Sequence, residues 1–380
     1  MSPLVKSDDF PLTKKCAYIN AANVALMPKP SIEAINKWHN DVGVNGSNNF
    51  NDLAEDNVFE GLRAEGARLF NCSEDDIAGG SSYTELLASI AWAVMPSAES
   101  NVVSTDIVFP STIFPWTRVS HHTGCEIRFV HSKGAYTEPG EIIKSIDKNT
   151  AVVSISHAEY TSGQLYDLKL LADHCHENGA LLIVDATQSA GAVPIDGPGS
   201  GADVIISGSY KWLCGPFGAA VMYLAPHLQN KLEPGIVGFR SHAKMWDLSA
   251  TRLEYPDTAK KFEASTMAFG CIKGLETSMQ YLNDIGIDRI YDYNIGLADK
   301  LIEGLQQLNI KIVSPKVQSE RTSIVTCHMG KHDAVYILDQ LKVRGVVAHK
   351  RQDYVRFAPH LYNNIGDIER AIYELGDILG

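Results

Sequence analysis

The sequence predicts an α/β fold, in which a large domain with a mostly parallel sheet precedes a smaller α+β domain. Between residues 81 and 224, short apolar segments typical of buried strands alternate with helical segments, which indicates a parallel sheet covered by helices. After about Pro226 the alternation stops, and long helical segments with short strands follow. We expect an N-terminal segment over 1–20, a large domain over 21–250 and a small domain over 251–380.

The elements of the large domain follow from apolar periodicity and from breaker residues. Gly179, for example, directly follows a helical pattern and is well placed to end it. In sheets of this kind, ligands bind beyond the carboxyl ends of the strands. The predicted helices span 31–42, 54–70, 85–95 and 168–178, and the predicted strands span 101–104, 151–156, 181–185, 203–207 and 219–224.

The C-terminal part begins after a stretch, 234–261, that has no steady periodicity and is predicted to be a long loop. Long loops inside compact proteins are often functional. The predicted helices beyond it span 270–282, 287–308, 333–343 and 366–379, and the predicted strands span 310–313, 323–327, 346–348 and 354–357.

Composition excludes several classes of protein. A net charge of -12 argues against nucleic-acid binding, which needs clustered Lys and Arg. No apolar run approaches the roughly 20 residues that span a bilayer. The seven cysteines are scattered singly without metal-ligand spacing, and the polar first ten residues do not resemble a secretion signal. We therefore expect a cytoplasmic protein with no metal site and a small-molecule substrate.

Lys211 is the first candidate for chemistry. It lies in the segment SGSYKWLCGPFGAA, directly after a predicted strand and among aromatic and apolar neighbours. Partial burial would lower the pKa of its amine and favour formation of a Schiff base. The alternative is a lysine whose stem lies along apolar surface while its charge stays in water. This segment alone does not decide between the two.

Asp185 is the second candidate, at the end of the predicted strand in VDATQSAGAVP, with Gln188 shortly after it. A helix-capping role is the ordinary alternative for such an Asp. Its position about 25 residues before Lys211 favours another role. Pyridoxal 5′-phosphate (PLP) is bound through a lysine Schiff base and needs an acid beside its pyridine nitrogen, so that the protonated ring accepts electrons.

A third segment, AGGSSYTELLASIA, runs from small hydroxylated residues directly into an apolar helix. Free N–H groups and the helix dipole make such a helix start a phosphate site. Ser82, Tyr83 and Thr84 are the candidate residues, although any Ser or Thr that caps a helix looks similar.

Together these segments resemble the class V aminotransferase family of fold-type I PLP-dependent enzymes. That family includes cysteine desulfurases, kynureninases, isopenicillin N epimerase-like proteins and C–S lyases, and the resemblance covers nearly the whole chain. It implies the fold-type I PLP-dependent transferase fold with a sheet of the seven-stranded type. It further implies that Lys211 forms the internal aldimine and is the catalytic base, that Asp185 pairs with the pyridine nitrogen, and that Gln188 touches the 3′ oxygen.

The resemblance extends to four further positions at the cofactor. Phe109, in DIVFPSTIFPW, falls at the position that stacks on the ring, and Tyr160, in SHAEYTSG, falls near the 3′ oxygen. Tyr210 falls where the family commonly places His or Tyr on the phosphate. Thr266, in FEASTMA, would reach the phosphate of the neighbouring subunit, which implies a homodimer with shared active sites.

The resemblance also implies a substrate site. Arg356, in DYVRFAPHLYNN, matches the family's arginine for the substrate carboxylate, since a guanidinium binds a carboxylate through two parallel bonds. An arginine on an exposed edge strand is the alternative. Asn20 and Ala22 resemble, more loosely, the segment that approaches the substrate.

Four departures separate the chain from cysteine desulfurases. No cysteine occurs in the segment GVVAHKRQDY before Arg356, where the family's persulfide-forming cysteine would lie. Phe109, Tyr210 and Tyr160 stand where desulfurases usually or often have His, His and Asn. We therefore expect a β-eliminating reaction of the C–S lyase type on an amino acid. A class V aminotransferase or an epimerase is the alternative, a desulfurase is disfavoured, and a catalytically silent binding protein is opposed by the retained site residues.

The loop 234–261, which holds Arg240 and Trp246, is predicted to help shape the substrate pocket. His242, His349 and Arg351 are further candidates for facing it. A lone histidine is more often structural, so neither histidine is assigned a role.

Overall fold

The computed structural model describes residues 3–380, and a seven-stranded sheet forms its centre. The order of the strands along the sheet is β2-β8-β7-β6-β5-β3-β4, with β3 to β7 parallel and β8 antiparallel to both of its neighbours. The predicted mostly parallel α/β sheet is thus confirmed. The strands are β2 Ile77–Gly80, β3 Asn101–Thr105, β4 Glu126–Val130, β5 Thr150–Ser156, β6 Leu181–Asp185, β7 Val204–Gly208 and β8 Ala220–Leu224.

Two strands, β2 and β4, were not predicted. They lie at the two edges of the sheet. The side chains of β4 are mostly exposed or partly exposed, so this strand lacks the apolar run that marks a buried strand. β2 is short and ends in two glycines, which depress strand propensity.

Helices cover both faces of the sheet. Successive side chains of β6 point to opposite faces, so Leu182 and Val184 lie in one apolar cluster and Ile183 in the other. The helices up to β8 and just after it are α1 Lys29–Asn45, α2 Asp52–Asp56, α3 Glu60–Phe70, α4 Tyr83–Val94, α5 Pro110–Thr123, α6 Pro139–Lys144, α7 Leu168–Asn178, α8 Gly197–Ser200 and α9 Pro226–Gln229.

The helix predicted over 54–70 is wrong in one respect, because the structure divides it into α2 and α3. A 3₁₀ turn over Asn57–Phe59 separates the two helices. Val58 and Phe59, consecutive in the chain, are both buried in the core. One α-helical stripe does not bury such neighbours equally well, since it faces the core at intervals of three and four residues.

The C-terminal part forms a second sheet, in which four antiparallel strands follow the order β12-β13-β10-β9. It has an apolar cluster of its own, to which Ile19 from the N-terminal segment contributes. This confirms the predicted α+β pattern, whereas the domain boundaries stay a prediction. The elements are α10 Phe269–Ile285, α11 Ile287–Gln307, β9 Lys311–Ile312, β10 Val325–His328, α12 Ala334–Val343, β11 Val346–Val347, β12 His349–Arg351, β13 Tyr354–Phe357 and α13 Ile365–Leu379.

The N-terminal segment joins the two parts. Its short strand β1, Ala17–Tyr18, pairs in parallel with β11, and Asn20 bridges to Ala358. Within residues 3–380 no helix is both long and apolar enough to cross a membrane.

Candidate active site

A cavity of about 220 Å³ lies at the carboxyl ends of the central strands. The last residues of three adjacent strands, Ser156 of β5, Asp185 of β6 and Gly208 of β7, contribute to its wall. This is the edge at which parallel α/β sheets bind ligands. Its lining includes most of the predicted cofactor residues, namely Ser82, Tyr83, Thr84, Phe109, Tyr160, Asp185, Gln188, Tyr210 and Lys211.

Lys211 is buried in the wall of this cavity, with 7% of its surface exposed. Its Nζ lies 5.4 Å from the ring centre of Phe109 and 5.7 Å from that of Tyr210. Burial lowers the pKa of the amine to about 8. The negative charge of Asp185 raises this pKa, and the positive charges of Arg356 and Arg351 lower it further. Near pH 7, the neutral fraction of this amine is therefore larger than that of an ordinary lysine. The neutral amine is the form that acts as a nucleophile.

The backbone after Lys211 turns sharply. The N–H of Cys214 donates a 2.8 Å hydrogen bond to the carbonyl of Lys211, and Cys214 itself has a φ of 52°. A left-handed conformation is unfavourable for a residue with a Cβ and persists where the surroundings impose it. The turn fixes where the lysine side chain leaves the backbone.

Asp185 is a buried carboxylate held by two donors. The Thr112 hydroxyl donates to Oδ2 at 2.8 Å, and the N–H of Thr187 donates to Oδ1 at 2.9 Å. Burial raises the pKa of Asp185, and within residues 3–380 no ion pair includes it. A carboxylate can accept about four hydrogen bonds. Asp185 therefore retains capacity for a cationic donor, and the protonated pyridine nitrogen of PLP would fit that requirement.

The N-terminus of α4 faces the same cavity. Its Ncap residue is Ser82, whose Oγ accepts a 3.1 Å hydrogen bond from the N–H of Glu85. The first N–H groups of the helix, those of Tyr83 and Thr84, lack acceptors inside the helix. Together with the helix dipole they form an anion site that fits the phosphate of PLP.

Both the oxygen and the nitrogen of the Gln188 side-chain amide form hydrogen bonds that fix its orientation. Trp212 Nε1 donates a 2.8 Å hydrogen bond to Gln188 Oε1, while Gln188 Nε2 donates to the carbonyl of Ala22 at 3.0 Å. The second hydrogen of Nε2 is left for a ligand in the cavity. Ala22 therefore acts on the site through Gln188, and Ala22 itself does not line the cavity.

Two aromatic rings stand beside the lysine. Phe109 meets Tyr160 edge-on, with ring centres 5.5 Å apart, and 40% of its surface is exposed. Also in the cavity lining, the rings of Tyr210 and Phe217 stack with their centres 4.6 Å apart. Phe109 thus presents a ring at the cavity, as stacking on a flat cofactor requires.

Arg356 lies outside the cavity lining, next to Tyr160. It is fully buried, its Nη1 donates to the carbonyl of Tyr160, and its Nε and Nη2 have no partner within residues 3–380. Burial lowers the pKa of Arg356 to about 9, with the charge of Arg351 acting in the same direction. Buried donors without partners are costly, which indicates that an anionic ligand completes this environment.

Besides Arg356 and Ala22, five predicted contributors do not line the cavity within this chain, namely Asn20, Thr266, the loop 234–261, His349 and Arg351. Asn20 is buried but does not line it, and its Oδ1 lacks a partner among residues 3–380. Thr266 is exposed. The loop 234–261 is mostly irregular, as predicted, yet neither its residues nor His349 line the cavity. A role for Thr266 or this loop in a neighbouring active site stays a prediction.

Several residues that matter here were not found from the sequence. Thr112 and Thr187 hold Asp185, Trp212 holds Gln188, and Phe217 stacks on Tyr210. All four lie inside segments already singled out, but nothing in residue type or spacing distinguishes a threonine that bonds an aspartate from one that caps a turn. Only their contacts reveal them.

Comparisons with known proteins identify the family and the fold. The aminotransferase class-V family matches residues 17–350. A probable cysteine desulfurase of Methanothermobacter thermautotrophicus is 26% identical over 98% of this chain and 97% of its own length. Two solved structures, each 21% identical, share the fold. One is an apo cysteine desulfurase from Thermococcus onnurineus NA1, with a TM-score of 0.87 over 98% of this chain and 97% of that chain. The other is the cystine C–S lyase C-DES in complex with its product cysteine persulfide, with a TM-score of 0.88 over 97% of this chain and 99% of that chain. The family match spans most of the chain, so this protein belongs to the aminotransferase class-V family and is a PLP-dependent enzyme.

Proposed function

We propose that this enzyme cleaves the Cβ–S bond of a sulfur-containing amino acid by β-elimination, as a C–S lyase. The observation that carries the proposal is the pairing of a buried lysine, Lys211, with a cavity that has no thiol among its lining residues. Elimination needs a base at Cα and an electron-accepting ring, but it needs no cysteine of the protein.

In this proposal the predicted cofactor residues take definite roles. Lys211 would hold PLP through its amine, Asp185 would bond the pyridine nitrogen, and Gln188 and Tyr160 would bind on the side of the 3′ oxygen. Phe109 would stack on the ring. The start of α4, with Ser82, Tyr83 and Thr84, would bind the phosphate together with Tyr210. Bound PLP supplies an electron-accepting ring for the pair of electrons released at Cα.

The protein's own groups then perform three tasks. Arg356 binds the α-carboxylate of the substrate and so fixes the orientation of Cα. The amine of Lys211, which is free once the substrate amine has displaced it from the cofactor and whose pKa is lowered to about 8, accepts the proton from Cα. The electron pair of that C–H bond expels sulfur from Cβ, and the sulfur leaves with the electrons of the broken bond. Asp185 keeps its negative charge throughout and stabilises positive charge beside it.

A persulfide-forming desulfurase is disfavoured because no cysteine is among the residues that line the cavity, and the buried thiols are poor nucleophiles. Cys327 is buried and bonded to the carbonyl of Val355 at 3.5 Å, and Cys214 is buried behind Lys211. Burial raises the pKa of both thiols, and it raises those of Cys72 and Cys175 to about 12. The thiolate, which is the reactive form, is scarce at neutral pH for all four.

Two broader expectations belong to the same proposal. We expect a homodimer in which Thr266 of each subunit reaches the phosphate in the neighbouring site, and a cytoplasmic location. Two exposed apolar side chains, Phe217 in the cavity lining at 62% and Phe114 of α5 at 65% exposure, support a covering subunit, because such surface is costly to leave in water.

The test is a product analysis with PLP-loaded enzyme and L-cystine or S-carboxymethyl-L-cysteine. We expect pyruvate, ammonia and the sulfur-containing fragment in equal amounts, no effect of prior thiol alkylation, and no product with Lys211→Ala. With L-cysteine as the substrate, alanine together with protein-bound sulfur would instead identify a desulfurase. Accumulating pyridoxamine phosphate with a sulfur-containing keto acid would identify an aminotransferase, and inversion at Cα without other products would identify an epimerase.

A further inference from the structure

Three basic side chains share one face of the hairpin formed by β12 and β13. His349 and Arg351 are two residues apart in β12, so their side chains point to the same face. His349 lies directly opposite Arg356 of β13 in the antiparallel register, which places Arg356 on that face as well.

This face is turned toward the active site. The guanidinium carbon of Arg351 lies 5.9 Å from the ring centre of Tyr160, and Arg356 Nη1 donates to the carbonyl of the same residue. Tyr160 lines the cavity. Both arginines also lower the pKa of Lys211, so both lie within electrostatic reach of its amine. Arg351 is held in place by a 3.0 Å hydrogen bond from its Nη2 to Asn23 Oδ1.

The positive charge of this face has no protein counter-charge. Within residues 3–380 no ion pair includes Arg351 or Arg356, and buried donors of both lack partners, namely Nε of Arg351 and Nε and Nη2 of Arg356. Burial and the two guanidinium groups lower the pKa of His349 to about 4, so His349 is neutral at pH 7. Two guanidinium charges therefore remain without a counter-charge. That of Arg356 is fully buried, whereas Arg351 is half-buried and keeps an unpaired Nε with which it can bind an anion.

We propose that the substrate carries a second anionic group, a carboxylate on the sulfur substituent, which Arg351 binds while Arg356 binds the α-carboxylate. The inference rests on the proposed function, because it assumes an amino-acid substrate with sulfur at Cβ. A substrate with its α-carboxylate alone neutralises one arginine and leaves the other unpaired in a partly buried site. Arg351 is thus a specificity-determining residue, and short neutral amino acids are poor ligands.

A matched pair of compounds isolates the second charge. S-carboxymethyl-L-cysteine has a terminal carboxylate, and S-carbamoylmethyl-L-cysteine has a neutral amide of nearly the same shape. Binding is measured from the absorbance of PLP in the Lys211→Ala protein, where the elimination chemistry is blocked. We expect the acid to bind at least about tenfold more tightly than the amide, as a charge-assisted hydrogen bond allows.

Variants assign that preference to Arg351. In Arg351→Gln, on the same background, the ratio of the two dissociation constants falls close to one, and Arg351→Lys restores part of it. Lys350→Gln is the matched control, because Lys350 is the next residue of β12 and points to the opposite face, so its removal leaves the ratio unchanged.

The outcomes separate this inference from the proposed function. Equal binding of acid and amide, or a change in PLP affinity alone in Arg351→Gln, overturns the second-anion inference. Preference for the acid without pyruvate release from the wild-type enzyme overturns only the lyase function. No binding of either compound overturns both.

Discussion

The hydroxyl of Thr112 donates a 2.8 Å hydrogen bond to Oδ2 of Asp185, linking the first turn of α5 to the end of β6. Both residues are buried, and the second carboxylate oxygen is held by the N–H of Thr187. Thr112 therefore stabilises the ionised form of the acid that the cofactor's pyridine nitrogen requires, although it does not line the cavity itself.

Replacing Thr112 with valine removes this donor at nearly constant volume. We expect PLP affinity to fall by roughly tenfold, since hydrogen bonds to charged groups contribute about 1.5–3 kcal/mol. Equilibrium titration of apoenzyme with PLP measures the effect. Thr117→Val is the control, because Thr117 lies in the same helix and bonds only the carbonyl of Ile113. Equal affinities of the two variants would contradict the assigned role.

The lowered pKa of Lys211 predicts how PLP recombination depends on pH. Only the neutral amine attacks an aldehyde, and the neutral fraction grows as the pH rises through the pKa. The rate of recombination should therefore rise from pH 6 and level off just above pH 8, instead of near the ordinary lysine value of 10.5. Stopped-flow absorbance of apoenzyme mixed with PLP measures it. A rate that still climbs at pH 10 would show that the amine is not perturbed.

Glu159 predicts a pH-dependent stability. It is fully buried, accepts hydrogen bonds from Tyr166 at 3.3 Å and Thr105 at 3.4 Å through Oε1, and burial raises its pKa to about 8. The folded protein thus binds this proton more tightly than the unfolded chain. The resulting stability is fully present below pH 4.5 and is lost as the pH rises through 8.

Because glutamine cannot ionise, the stability of Glu159→Gln should depend less on pH over this range than that of the wild type. Urea unfolding midpoints measured between pH 5 and 9 test it, with the wild type falling more steeply than the variant. Parallel profiles would mean that Glu159 does not titrate in this range.

Gly191 follows Gln188 in the segment after β6, and its φ is +87°. A Cβ at this position would lie 2.5 Å from the carbonyl oxygen of Trp212. We expect Gly191→Ala to lower the free energy of unfolding by at least about 2 kcal/mol, because strain and a backbone clash combine. Gly140→Ala, in α6 with open space around it, should change it by less than about 1 kcal/mol. Thermal unfolding of both variants decides the comparison.

Much of the fold followed from local pattern. The bounds of α7 and β6 coincide with those predicted, because a capped amphipathic helix and a fully buried apolar strand are local signals. Edge strand β4 carried no such signal, since its mixed side chains face solvent. The break between α2 and α3 allows Val58 and Phe59 to be buried together. This burial depends on tertiary packing and is not visible in the local sequence.

For the site, the sequence by itself determined the residue types and their positions at strand ends and a helix start. Lys211, Asp185 and the first turn of α4 were identified in this way, because chain direction in a parallel sheet brings such positions to one edge. The tertiary structure alone decided which side chains orient them and which charges lack partners. Thr112 meets Asp185 from 73 residues away, and Arg351 and Arg356 converge on Tyr160 from another sheet. Hydrogen bonding and desolvation depend on distances between segments remote in sequence, and only folding fixes those distances.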